Sequence, residues 1–175
     1  MKLLKGFLLV FAGLFVMITL LSLLIPSNVV TSKSITINAP QQKIIAAIKS
    51  LQQWEKWHPV FANDASNHVV SQPSPGAASS IAWGENENKN IITLTEQLPQ
   101  GVKFTLDRPG ENTILNNILL LPLQDSISFQ VEWKALTHSK WYPWEKFAGI
   151  FVSQITGPGY EKALQSLKSY VEELP

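Results

Sequence analysis

The residues of this 175-residue chain that could most directly do chemistry are its three histidines, since histidine binds metals and transfers protons near neutral pH. None of them, His58, His68 or His138, lies one helical turn from a second histidine or a carboxylate in a predicted helix, as a helical metal site requires. His58, His68 and Asp64 could meet in a loop, where a solvated surface pair is the favoured interpretation. The chain has no cysteine, which excludes thiolate zinc sites, iron–sulfur clusters and disulfides. We therefore predict no metal and no cofactor.

Glu96 is the one acidic residue whose position suggests an acid or a base inside the fold. If its strand is regular, Glu96 shares an apolar face with Leu94 and Leu98. A β-bulge or a strand end would instead turn this carboxylate into water. No second titratable group accompanies it, no G-x-S-x-G turn is present, and Gly157-Pro158-Gly159 lacks the donating N–H of a phosphate loop. The sequence thus favours a binding domain over an enzyme.

A membrane anchor is predicted at the N-terminus. Residues 6–25 carry no charge, and as a helix they would span roughly 30 Å, the thickness of a bilayer's hydrocarbon core. A cleaved signal peptide is the alternative, whereas a buried core helix is disfavoured because the segment has no polar stripe. Lys2 and Lys5 precede the span and only Lys33 follows closely, which predicts a cytoplasmic N-terminus and an extracytoplasmic domain on a single-pass membrane protein.

The rest of the chain is predicted to form one domain, so that residues 1–28 are the anchor and residues 29–175 the folded unit. Without Lys2 and Lys5, 12 of the 14 basic residues remain against 13 acidic ones, a charge near −1. No basic stripe is present, which argues against a nucleic-acid partner. The predicted partners are the membrane, through residues 6–25, and a small molecule.

The order of the predicted elements indicates an α+β fold. Period-two patterns predict strands at residues 29–39, 69–72, 79–83, 91–98, 102–106, 115 with 118–121, and 126–136; three- and four-residue spacing predicts short helices at 41–51 and 52–57. Successive strands with short turns indicate a bent antiparallel sheet. A terminal helix carries two apolar stripes, and Pro158 predicts a kink or a break between them. The stripes are Trp144, Phe147, Phe151 and Ile155, then Tyr160, Leu164, Leu167, Val171 and Leu174.

Five short segments occur in the order found in one known superfamily. They are residues 34–40 (SITINAP), 54–59 (WEKWHP), 83–84 (WG), 131–133 (VEW) and 157–168 (GPGYEKALQSLK). The chain resembles the START-like, polyketide-cyclase-like superfamily called SRPBCC, as a membrane-anchored, bacterial-type member. The resemblance covers about residues 29–173, and Ala163 stands where the family often has glycine.

The resemblance implies a helix-grip fold, in which a curved antiparallel sheet wraps around a long C-terminal helix and leaves an apolar cavity between them. Hydrophobic small molecules or lipids bind there in the family. The predicted lining residues are mostly aromatic, and a plain core is the alternative role for each. They are Trp57, Trp83, Phe104, Phe129, Trp133, Phe151, Ile155 and Tyr160.

The favoured function is binding of a hydrophobic or amphipathic small molecule, such as a lipid, beside the membrane. One alternative is a cyclase- or dehydratase-type enzyme of the same superfamily that uses Glu96 or Tyr160. The other is a non-catalytic interaction module whose cavity is filled by its own tryptophans. These three hypotheses stay open because one fold of this kind hosts many activities.

Overall fold

A curved antiparallel sheet and a long C-terminal helix dominate the fold. The computed structural model describes residues 2–62, 68–71, 79–85, 88–123 and 128–173. Its helices are α1 (Lys2–Ser22), α2 (Gln41–Lys49), α3 (Leu51–Trp57), α4 (Pro59–Ala62) and α5 (Pro143–Glu173), and its strands are β1 (Asn28–Ile37), β2 (His68–Val70), β3 (Ser80–Glu85), β4 (Asn88–Leu98), β5 (Gly101–Asp107), β6 (Ile114–Pro122) and β7 (Phe129–His138). The strands form one antiparallel sheet in the order β1-β7-β6-β5-β4-β3-β2, which confirms the predicted α+β class.

Alternation of apolar and polar residues buries one face of this sheet. In β5, Phe104 and Leu106 are buried while Lys103 is exposed, and β7 buries Val131 and Trp133 in the same way. The predicted alternation of these two strands is therefore correct. Of the predicted loop site, strands and stripe, Asp64, Gln72, Ser126, Ile127 and Leu174 lie outside the described residues.

Hydrogen bonds from two tryptophans of α3 link this helix to α2. The indole N–H of Trp54 donates to the carbonyl of Ile48 at 2.9 Å, and that of Trp57 donates to the carbonyl of Ala47 at 3.1 Å. Both rings are buried, so these hydrogen bonds satisfy the only polar atom that each indole carries into the core. As predicted, α3 ends before Pro59, and this proline then begins the single turn of α4, where a missing N–H is tolerated.

Helix α5 runs without interruption from Pro143 to Glu173, so of the kink or break predicted at Gly157-Pro158-Gly159, the break is not formed. Proline removes one helical hydrogen bond, that to the carbonyl of Gln154. Both Gln154 and Pro158 are exposed, so water can replace the lost donor on that side of the helix. The opposite side of α5 packs against β1. The approach is so close that a Cβ at Gly157 would lie 2.9 Å from Cε of Lys33.

Helix α1 is exposed along nearly its whole length and joins the domain at its C-terminal end. The helical segment Leu3–Ser22 is long and apolar enough to cross a membrane. Ser22, the last residue of α1, is fully buried, and α1 contacts α5. Lys146 of α5 donates from Nζ to the carbonyl of Ile25 at 3.0 Å and to the hydroxyl of Ser27. The segment that follows α1 is thereby fixed to the start of α5.

Candidate ligand-binding cavity

A cavity of about 350 Å³ lies between the buried face of the sheet, the end of the short helices and the middle of α5. Four of its lining residues are exposed and mark its mouth: Val60, Arg108, Ile155 and Gly159. The others belong to strands β3 to β7, to α5, or, for His58, to the junction of α3 and α4. The complete lining is His58, Val60, Trp83, Ile92, Phe104, Leu106, Arg108, Asn116, Trp133, Ile155, Thr156, Gly159, Tyr160 and Ala163.

Trp133 is the centre of the aromatic wall. Its ring centroid lies 5.7 Å from that of Phe104 and 5.1 Å from that of Tyr160, in the tilted and edge-on geometries that aromatic pairs prefer. Its indole N–H donates to Oδ1 of Asn116 at 3.0 Å, and the amide of Asn116 donates to the carbonyl of Ile114 at 3.1 Å. The buried polar atoms of this wall are thus satisfied by the protein, which leaves a predominantly apolar surface toward the cavity.

His58 brings a polar ring into this apolar wall. It stacks on Trp54 with a centroid distance of 5.5 Å, and it lies 6.1 Å from Trp133. Burial lowers the pKa of His58 to about 4, so the ring is neutral at pH 7. The N–H of Val60 donates to Nδ1 at 3.4 Å, which assigns the ring proton to Nε2. His58 lines the cavity, and among the described residues Nδ1 is the ring nitrogen for which a hydrogen bond is found.

Tyr160 and Arg108 supply two further donors. Burial raises the pKa of the Tyr160 hydroxyl, and the charge of Arg108 opposes this shift without reversing it, so the phenol is protonated at pH 7. Arg108 is the one charged residue of the lining, and its Nη1 lies 3.5 Å from a carboxylate oxygen of Glu111 outside it. The hydroxyl of Thr156 donates to the carbonyl of Val152 at 2.8 Å and can only accept from a ligand. The polar part of the cavity is therefore rich in donors and carries positive charge.

Five of the eight predicted lining residues line this cavity: Trp83, Phe104, Trp133, Ile155 and Tyr160. The other three do not, and each has a structural reason. Trp57 is held in the core by its hydrogen bond to Ala47. Phe129 begins β7 opposite Ile37 and packs at the end of the sheet. Phe151 is 53% exposed on the outer side of α5.

Glu96 lies outside the cavity, so of the two placements that the sequence left open, the outward one at a β-bulge is correct. A β-bulge between Leu94 and Glu96 shifts the register against β5 and turns this side chain outward. Glu96 then forms an exposed ion pair with Lys103, whose Nζ lies 2.7 Å from a carboxylate oxygen. His68 lies 2.7 Å from a carboxylate oxygen of Glu55, and Asp64, the third residue of the loop prediction, lies outside the described residues. Among the side chains that the structure describes, no three histidine, aspartate or glutamate residues form a potential metal site.

Two of the lining residues that the predictions missed continue a pattern visible in the sequence. Arg108 continues the period-two series of Phe104 and Leu106 beyond the end of β5. Asn116 lies between the buried residues Ile114 and Ile118 on the same face of β6. Counting polar as well as apolar residues at the inward-facing positions of these strands would have identified both as lining residues. His58 and Thr156 carried no such signal.

No protein-family model and no curated protein matches this chain. Solved structures do resemble it. A truncated norcoclaurine synthase from Thalictrum flavum aligns over 85% of this chain and 96% of its own at 16% identity, with a TM-score of 0.60. A solution structure from Thermobifida fusca covers 83% and 94% at 18% identity and TM-score 0.63. The di-domain ARO/CYC protein StfQ of the steffimycin biosynthetic pathway covers 83% and 51% at 8% identity and TM-score 0.63. These similarities show the helix-grip, START-like fold that the sequence resemblance implied.

Proposed function

We propose that residues 29–175 bind a hydrophobic or amphipathic small molecule in the cavity, and that residues 1–28 anchor this domain to a membrane. The observation that carries the proposal is an open space of about 350 Å³ with an aromatic wall and with His58, Arg108 and Tyr160 in its lining. Its volume falls within the range of about 300–1,000 Å³ that is typical of small-molecule sites.

The cavity's composition supports a ligand with an apolar body and an electron-rich end. Trp83, Phe104 and Trp133 offer apolar contact, whereas Arg108 lies at the mouth and offers charge. Since no carboxylate is found in the described lining, an anionic or strongly accepting group would meet donors and no like charge. A fatty acid or a similar amphipathic lipid has this chemistry.

A cavity filled by the protein's own tryptophans is less favoured. Trp54 and Trp57 are buried against α2 and do not line the space, and Trp83 and Trp133 form its wall without closing it. The volume beside them is left for another molecule, since protein interiors otherwise contain few voids larger than water.

The membrane part of the proposal rests on α1. Its apolar residues are exposed, which is unfavourable in water and favourable in a bilayer. The lysine distribution favours a cytoplasmic N-terminus and an extracytoplasmic domain. A cavity next to such an anchor would have lipids as its nearest source of ligand.

The test compares ligand occupancy in two variants of α5. Gly159 is an exposed residue of the cavity lining, and a Cβ at this position would meet no atom within 4 Å, so Gly159→Leu adds a bulky side chain at the cavity mouth without a backbone clash. Gln165→Leu alters an exposed position of the same helix and serves as the control.

The full chain in detergent is incubated with oleic acid and analysed by native mass spectrometry. We expect Gly159→Leu to bind at least about tenfold less acid than the wild type and the control. Equal binding by all three, or none by the wild type, contradicts the proposal.

An enzyme of the cyclase or dehydratase type is a second candidate, favoured by one observation. His58 and Tyr160 are two titratable side chains in the same apolar cavity, where proton transfer to a bound molecule is geometrically possible. Mass spectrometry of the molecule recovered from the protein distinguishes the two functions. An enzyme releases a chemically changed molecule and loses this conversion in Tyr160→Phe, whereas a binding protein returns the molecule unchanged.

A further inference from the structure

The first half of α5 exposes its apolar residues and buries small and polar ones. Trp144, Phe147, Phe151 and Ile155 recur at three- and four-residue steps and form one exposed face, which we call the outer stripe. Trp144 is 63% exposed and Ile155 is 75% exposed. The opposite face buries Lys146, Gly149 and Gly157 against the linker and the sheet. This arrangement is the reverse of a water-soluble surface helix, and a contiguous apolar surface of this kind marks a partner or a membrane.

The outer stripe begins where α1 ends. The hydrogen bonds of Lys146 to Ile25 and Ser27 fix this part of α5 beside the last turn of α1. If α1 crosses the hydrocarbon core, the start of α5 lies at the level where the chain leaves it. From Lys146 to Ile155 the helix extends about 14 Å, so no residue of the stripe lies further than this along α5 from the contact with the exit of α1.

The composition of this segment fits the interfacial layer of a bilayer. No charged residue occurs between Lys146 and Glu161. At the start of the stripe, Trp141 and Tyr142 form a continuous aromatic cluster with the stripe residue Trp144, and the rings of Tyr142 and Trp144 are stacked with centroids 5.1 Å apart. Tryptophan and tyrosine are the residues enriched at membrane–water interfaces. A protein partner would account for the exposed apolar surface, but not for its position at the exit of α1.

We propose that the outer stripe lies in the interfacial layer of the membrane that α1 crosses, so that the cavity opens at the lipid surface. The link to the cavity is Ile155, which belongs to the stripe and also lines the cavity mouth. An amphipathic molecule could then pass from the bilayer into the cavity without crossing water. This inference rests on the membrane anchor of the proposed function and does not depend on the identity of the ligand.

Because the chain has no cysteine, a single introduced cysteine can be labelled without background. Phe151→Cys and Ile150→Cys place an NBD fluorophore on or beside the stripe, and Gln165→Cys places it on an exposed polar position of the same helix as the control. Val16→Cys reports on α1. The full-length variants are reconstituted into phosphatidylcholine–phosphatidylglycerol vesicles with or without doxyl-labelled lipid, and quenching by iodide is measured in parallel.

We expect lipid-borne doxyl groups to quench labels at 150 and 151 at least about twofold more than the label at 165, and iodide to show the opposite order. Quenching at 16 together with full iodide access at 151 overturns the stripe proposal while leaving the anchor intact. Absence of lipid quenching at 16 overturns the anchor and the stripe together. Ligand binding is measured separately with oleic acid, so its failure is distinguishable from both.

Discussion

Among the side chains of the cavity, His58 differs most from its ordinary behaviour. Its ring is enclosed by Trp54, Trp133 and Phe61, with no described carboxylate against it. A cation in such surroundings would lose its hydration without gaining a counter-charge, which is why the neutral ring is favoured. His58 is therefore a hydrogen-bond donor at pH 7 and a source of acid sensitivity at lower pH.

The first prediction concerns this acid sensitivity. The unfolded chain binds a proton at His58 near pH 6.5 and the native protein only near pH 4, so the unfolded state holds more protons between these values. The contribution of the neutral His58 ring to the free energy of unfolding is fully present above about pH 7. It decreases as the pH falls, by about 2 kcal/mol at about pH 5. Urea unfolding followed by tryptophan fluorescence measures it, since all six tryptophans lie outside α1. His58→Gln should lose this dependence and His138→Gln should retain it. Identical pH profiles for all three would contradict the assignment.

The second prediction concerns Arg108, the charged residue at the cavity mouth. A guanidinium group forms strong hydrogen bonds to carboxylates and much weaker ones to an alcohol. We expect Arg108→Gln to weaken binding of oleic acid by roughly tenfold and binding of oleyl alcohol by less than about twofold. Lys103→Gln removes a positive charge from the exposed face of β5, on the side away from the cavity, and should change neither affinity. A parallel loss for both ligands in Arg108→Gln would remove the ionic role.

Secondary-structure elements differ in how far their sequence predicts them. The alternation of β5 and β7 predicted their buried faces because a strand has only two faces and one of them is the core. The bulge at Glu96 was not predictable from period two, since one extra residue reverses every later side chain without changing the composition. The sequence predicted the apolar stripe of α5 but not what the stripe contacts. Periodicity shows that Phe151 and Trp144 share a face, and it does not show whether that face meets protein, ligand or lipid.

The third prediction compares two glycines in elements that hold the cavity. A Cβ at Gly101, the first residue of β5, would lie 2.2 Å from the carbonyl oxygen of Ile118, a backbone atom that cannot move aside easily. Gly101→Ala should lower the free energy of unfolding by about 2–3 kcal/mol. Gly159→Ala, in α5 with open space around its Cβ, should raise it by about 0.5–1 kcal/mol because alanine favours the helix. Urea unfolding of both variants checks the signs, and a Gly101→Ala variant as stable as the wild type would contradict the close approach.

At the scale of the whole molecule, α1, the outer stripe and the cavity are connected through α5. Lys146 joins the exit of α1 to α5, the stripe follows along the outer side of α5, and Ile155 ends it at the cavity mouth. The sequence predicted the anchor and the cavity as separate features. Their connection depends on the hydrogen bonds of Lys146 with Ile25 and Ser27, which are contacts between residues far apart in the chain and leave no local pattern.

The fourth prediction follows from this connection: the stripe should control how fast the cavity is loaded, and not how tightly it binds. Phe151→Asp places a charge in the interfacial layer and lifts the mouth from the lipid, because a buried carboxylate there is unfavourable. We expect transfer of a fluorescent fatty acid from the vesicle that holds the protein to slow by at least about fivefold, with the equilibrium affinity within about twofold of wild type. Gln165→Asp introduces the same charge elsewhere on α5 and should change neither. Equal slowing in both variants would mean that charge alone acts, and that the cavity does not fill through its contact with the bilayer.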